Sequence, residues 1–133
     1  MTAKSFALTT IAFALGFPAS VAAQSPADWA DIRGQQELAA LFSNKTLKGN
    51  GWTGHYRVDG NGILILASGQ REPRTWKVKG DDQVCVTTTS AVGASTNCFR
   101  FQRHKKNPTW VTGRNVANHF TFTFTLEEGI PKF

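Results

Sequence analysis

The sequence predicts a mainly β domain with a short N-terminal helical segment: an antiparallel meander forming a strongly curved sheet or a small up-and-down β-barrel, with one disulfide. Three observations carry this expectation. Apolar and polar residues alternate in short runs after Lys48, clusters of Gly, Asn and Asp separate the runs, and Cys85 and Cys98 lie in two runs whose alternation matches.

Residues 1–23 read as a cleavable signal peptide. Lys4 precedes an apolar stretch from Phe6 to Phe17, Pro18 breaks it, and Val21-Ala22-Ala23 places small residues at a cleavage site, leaving Gln24 as the new N-terminus. The apolar stretch is shorter than the roughly 20 residues that span a bilayer, and no second one follows. The remainder, residues 24–133, has the length of one domain, expected to be a periplasmic or secreted monomer without a transmembrane segment. The chain carries a formal charge of +6, of which Lys4 contributes one. That balance favours contact with anionic envelope polymers, lipid headgroups or nucleic acid, and is equally what many soluble secreted proteins carry for solubility alone; nucleic acid is not expected in the periplasm.

Taken in order, the segment of about 26–43 reads as helical. Ser25 is placed to cap, Pro26 suits the first helical position and Asp28 falls three residues after the cap. Gly34 interrupts, and a second short helix follows, with Leu38, Leu41 and Phe42 on one face and Asn44 as its stop. Strands follow from about 52 to 126. Trp52 to Val58 puts Trp52, Gly54, Tyr56 and Val58 on one face, and Asp59-Gly60-Asn61-Gly62 supplies the hairpin turn. Ile63 to Leu66 is unbroken and apolar, which suggests burial on both faces, beneath the N-terminal helix.

Thr75 to Lys79 alternates Trp76 and Val78 with lysines, and Gly80-Asp81-Asp82 turns it into Gln83 to Thr88. If Cys85 faces Cys98 across an antiparallel pair, Val84 faces Phe99, and the apolar residues collect on the face opposite the sulfurs. Closing this loop would stabilise the domain by about 3 kcal/mol in the chain-entropy model. Trp110 to Thr112 is a short strand. His119 to Leu126 is the clearest of all, with Phe120, Phe122, Phe124 and Leu126 alternating with threonines.

These features carry a resemblance. Glu37-Leu38 with Leu41, Lys45-Thr46, Tyr56 with Asp59-Gly60, Trp76 with Val78, Gly80-Asp81, Val84-Cys85 and finally Cys98 resemble a group of small exported proteins of alpha-proteobacteria, classed as a domain of unknown function. The motifs are structural and carry over no catalytic residue. The resemblance implies a periplasmic or secreted β-rich domain.

Chemistry is sparse. Asp81-Asp82 and Glu127-Glu128 are adjacent acids that would point apart, whereas acid–base carboxylates must converge. Asp59 to Gly62 lacks the oxygen ligands and distal Glu of a calcium loop. His55, His104 and His119 show no metal spacing, no Ser has the flanking glycines of a nucleophile elbow, and no cofactor is indicated. The most suggestive patch is Arg100, Arg103, His104, Lys105 and Lys106, with Arg114 beyond the turn and Trp110 as a stacking surface. It would make a cationic hairpin tip for phosphate or carboxylate groups, or a solvated turn that discourages edge pairing.

The function that follows is a non-enzymatic envelope or secreted module binding an anionic component, a small ligand or a partner protein. An apolar barrel interior could hold a hydrophobe, although the many phenylalanines could simply fill it. The alternative is a small periplasmic hydrolase or an enzyme inhibitor. Its catalytic groups would be drawn from His55, His104, His119, Asp81 and Glu72.

Overall fold

The computed structural model describes residues 26–90 and 92–133. The signal-peptide reading, Ser25 included, lies outside them. Among the described residues nine strands are present: β1 (Trp29–Asp31), β2 (Lys45–Gly49), β3 (Trp52–Tyr56), β4 (Asn61–Leu66), β5 (Arg71–Lys79), β6 (Gln83–Ser90), β7 (Gly93–His104), β8 (Trp110–Asn115) and β9 (Thr121–Glu128). One helix, α1 (Gln35–Phe42), separates β1 from β2. Strands β2 to β9 pair in chain order, all antiparallel, and β9 returns to pair with β2. The result is a closed eight-stranded up-and-down barrel.

The expected helix over the first part of 26–43 is corrected. Pro26–Asp28 forms a single 3-10 turn, and Trp29–Asp31 is a strand. The reason lies in β7, which outruns β6: once β6 has ended, Gln102, Arg103 and His104 need a partner, and β1 takes that edge. The Lys105 N–H donates to the Asp28 carbonyl, and Trp29 meets the His104 ring edge-on at 5.0 Å.

Helix α1 is where the apolar stripe placed it. Leu38, Leu41 and Phe42 are buried and join the barrel core. The helix stops because Ser43 turns its N–H and its hydroxyl back to the Ala39 carbonyl, and Asn44, at φ 56°, reverses the chain into β2. At its other end the Gly34 N–H donates to the Asp81 carbonyl in the β5–β6 turn. The helix therefore closes one end of the barrel, against β2, β5 and β6.

The proposed register is present: Cys85 faces Cys98, Val84 faces Phe99, and the two sulfurs are bonded. Val84, Val86, Phe99 and Phe101 point inward, opposite the disulfide. Strand β4 departs from expectation. Leu64 and Leu66 face the interior, but Ile63 and Ile65 stand half-buried on the outer wall and α1 packs elsewhere. On β9, Phe124 is buried and Phe122 and Leu126 are half-buried, but Phe120 precedes the strand and is 65% exposed at the open end. The outer wall alternates threonines with Lys48, Arg71, Lys77, Lys79, Arg100 and Arg114. Among the described residues no helix is long and apolar enough to cross a membrane.

Candidate functional site

The interior has two unlike halves. Toward α1 it is solid: Leu38, Leu41, Val84 and Val111 are fully buried among Phe42, Tyr56, Phe101 and Phe124. Toward the opposite end a cavity of about 630 Å3 remains. Phe42 and Tyr56 form its floor. Trp52, Leu64, Leu66, Phe99 and Phe122 form its walls, and the β2–β3 turn at Asn50-Gly51 and Phe120 of the β8–β9 loop stand at its mouth.

Glycines shape this interior. A Cβ on Gly113 would lie 2.6 Å from the Phe122 ring and 2.9 Å from Phe101, and one on Gly54 would lie 2.6 Å from the Tyr56 ring. A Cβ on Gly49 would strike Trp52, and one on Gly62 would strike Tyr56. Rings therefore lie flat in the space that missing side chains leave, which lines the cavity with aromatic surface. Phe99 and Phe122 pack edge-on at 5.3 Å, and Phe120, Phe122 and Phe124 form a stacked series along β9.

One charged side chain lines the cavity among the described residues: Arg74 on β5. It faces Gly62 on β4 and Thr88 on β6, so its neighbours across the ladder leave it room. A guanidinium nitrogen meets Glu72 at 3.5 Å. Burial pushes the Tyr56 phenol above its ordinary value of 10.0, and the nearby Arg74 charge offsets part of that rise. Arg74 Nε is buried and has no hydrogen-bond partner. Nearer the mouth, Asn115 Nδ2 donates to Asn97 Oδ1 at 3.1 Å, and Asn115 Oδ1 accepts the N–H groups of Ala117 and Asn118.

The basic patch does not form a single surface. Arg103 donates to the Pro108 carbonyl at 2.8 Å, and His104 Nδ1 accepts the N–H groups of Lys106 and Asn107, so both side chains hold the β7–β8 turn together. The His104 ring packs edge-on against Trp110, which is 45% exposed. Lys105 and Lys106 project into solvent at the turn. Arg100 and Arg114 sit directly opposite each other on the outer wall, where with Val116 and His119 they line a depression of about 240 Å3. Asp82 pairs with Arg100 at 3.1 Å.

The groups assembled for a hydrolase do not converge. His55 on β3 and His104 on β7 stand on opposite sides of the barrel, four strands apart in either direction. His119 lies at the mouth, the far end of β8 from His104. His55 is tied into the β2 edge: its Nδ1 bonds Thr46 Oγ1 at 2.8 Å, and the same hydroxyl donates to the Gly129 carbonyl. Burial, with Arg71 and Lys48 nearby, holds the His55 pKa below 6.5. No three His, Cys, Asp or Glu side chains among the described residues are grouped to hold a metal ion.

Sequence reasoning missed Arg74 as a site residue. Its signal was present: Glu72 and Arg74 continue the inward series of Trp76 and Val78, and become visible once β5 is begun at Arg71 rather than Thr75.

Fold and site together define a small closed β-barrel with an aromatic-lined interior open at one end. Among models of protein families, curated proteins and solved structures, none matches this chain.

Proposed function

We propose that this protein is an exported, non-enzymatic β-barrel module that binds a small, largely apolar molecule in its barrel. The observation that carries this reading is the cavity of about 630 Å3, floored by Phe42 and Tyr56 and walled by aromatic rings. Ligand pockets typically measure about 300–1,000 Å3 and combine apolar walls with few polar groups. An interior of this strand number is either filled by its own side chains or holds one small ligand, according to the size of the inward residues. Here glycines at 49, 54, 62 and 113 stand at inward positions of the upper and middle barrel.

Export to the periplasm or beyond is supported by the n-region, apolar core and small-residue site within residues 1–23. A disulfide such as Cys85–Cys98 suits the same oxidising compartment.

The test is native mass spectrometry on protein recovered from its host's envelope and, separately, on refolded protein exposed to N-phenyl-1-naphthylamine. Recovery of a bound apolar adduct or saturable 1:1 uptake of the probe is expected. A bare protein that also refuses the probe would contradict the reading.

A second reading rests on the outer wall. Like charges directly across a strand pair repel, and Arg100 and Arg114 are so placed with one carboxylate, Asp82, on Arg100. An anionic envelope polymer would relieve that repulsion. Its signature is binding that weakens with salt and is lost in the Arg100→Ala, Arg114→Ala double variant.

A further inference from the structure

We infer that the molecule held in the barrel is an anionic amphiphile, with its carboxylate on Arg74 and its alkyl or aryl body against the aromatic walls. This rests on the barrel-interior reading above and narrows it from an apolar molecule to an acid.

The charge distribution of the cavity points this way. Arg74 lines it, and its ion-pair partner Glu72 does not. Glu72 faces inward on the same strand, yet only Arg74 reaches the cavity surface, and its 3.5 Å contact with Glu72 leaves part of the guanidinium charge for whatever enters. A guanidinium recognises a carboxylate through two parallel N–H groups, but Glu72 engages it at a single contact of 3.5 Å and Arg74 Nε, although buried, is left without an acceptor. The Arg74 side chain is 24% exposed, so its terminal N–H groups, rather than the enclosed Nε, are open to an incoming carboxylate oxygen.

The other polar group near the headgroup position is also a donor. Asn97, on the cavity wall, has its amide oxygen occupied by Asn115 Nδ2, and its own Nδ2 hydrogens remain for a ligand. Asn115 has likewise spent its oxygen on backbone N–H groups. Asn97 thus offers N–H donors and Arg74 a positive charge, a pair that suits a carboxylate better than a neutral alcohol or ester, while Asn50 and Thr123 are further polar side chains of the lining. Gly62 and Thr88, opposite Arg74 in the two ladders, keep the approach free of bulk. The ring-lined space from Leu64 to Phe122 takes the rest of the molecule.

The test compares decanoate with decanol, which share an alkyl chain and differ in charge, by titration calorimetry on the disulfide-bonded protein. Decanoate should bind about tenfold or more tightly than decanol, the scale of one charge-assisted hydrogen bond. Arg74→Met should abolish that preference by removing the charge that the carboxylate pairs with. Glu72→Gln, which frees the guanidinium without removing it, should tighten decanoate and not decanol.

Equal binding of the two probes by the parent protein, or a preference that survives Arg74→Met, would overturn the inference while leaving the barrel reading in place. Should Arg74→Met fail to fold, unchanged decanoate affinity in Glu72→Gln would overturn it instead. Absence of binding by both probes would remove the barrel reading along with it.

Discussion

The ring of Phe42, the last residue of α1, meets the ring of Tyr56 on β3 edge-on, with centroids 4.8 Å apart and planes at 64°. This contact joins the helix to the barrel wall and separates the packed half of the interior from the cavity. Phe42 also lies 5.4 Å from Trp76 and 5.8 Å from Phe101, so one side chain bridges β3, β5 and β7. Phe42→Ala is expected to cost about 3–5 kcal/mol in denaturant unfolding, the range for deleting a buried aromatic ring. A loss below about 1 kcal/mol would mean that the helix closes the barrel without this ring.

Tyr56 owes its position to glycine. Its ring occupies space next to Gly54 and Gly62, and a Cβ at Gly62 would also lie 3.0 Å from the His55 carbonyl oxygen. The second of these contacts is with backbone, which yields little. Gly62→Ala should therefore destabilise the fold by about 1–3 kcal/mol through overpacking. Gly69→Ala, at an open turn with φ 91°, supplies a contrast in which strain arises from backbone conformation and not from a collision. A ring-current shift of the Tyr56 resonances in Gly62→Ala, absent in Gly69→Ala, would separate the two causes.

The partial burial of His55 makes stability depend on pH. The folded His55 pKa lies below 6.5, chiefly because the ring is partly buried and secondly because Arg71 and Lys48 repel its charge. The unfolded chain therefore takes up a proton first. His55 contributes stability fully above pH 6.5, and that contribution is lost as the pH falls from 6.5 through the folded value. Thermal unfolding followed from pH 8 to 5 should show this loss in the parent and a flatter profile in His55→Asn. Tyr56 acts at the other extreme: its raised folded pKa means that stability declines as the pH rises above 10.0.

Reduction of Cys85–Cys98, or its replacement by two alanines, should cost about 3 kcal/mol in the chain-entropy model for a loop of this size. The bond lies on the outer wall, and Val84, Val86, Phe99 and Phe101 face away from it. Probe binding by the reduced protein, measured well below its unfolding midpoint, is accordingly expected to match that of the oxidised form.

The sheet was legible because each of its runs carries a period-two pattern of its own. Phe122, Phe124 and Leu126 declare one face of β9, and the two cysteines fix the β6–β7 register independently of any turn. The segment at Trp29 was not legible. Its capping residues are real local signals, but the strand there is decided by an edge on β7, far along the chain, that no local pattern reveals. The outward Ile63 and Ile65 misled for the complementary reason: an unbroken apolar run says nothing about which neighbour covers it. The basic run from Arg100 to Lys106 was visible as charge, yet its side chains divide among the outer wall, the turn's own hydrogen bonds and solvent. Arg74 stayed hidden because a lone arginine beside a proline reads as the end of a loop until closure of the barrel turns it inward.

The central claim is that the barrel interior receives a small apolar molecule, and the most direct measurement is a titration with N-phenyl-1-naphthylamine followed by its fluorescence, in the parent protein and in Leu64→Trp. Leu64 lines the cavity wall, and the larger ring would fill the space without touching the outer surface. Saturable 1:1 enhancement in the parent, strongly reduced in a folded Leu64→Trp, is the predicted result. Equal enhancement in both proteins would place the probe on the outside of the barrel and contradict the account.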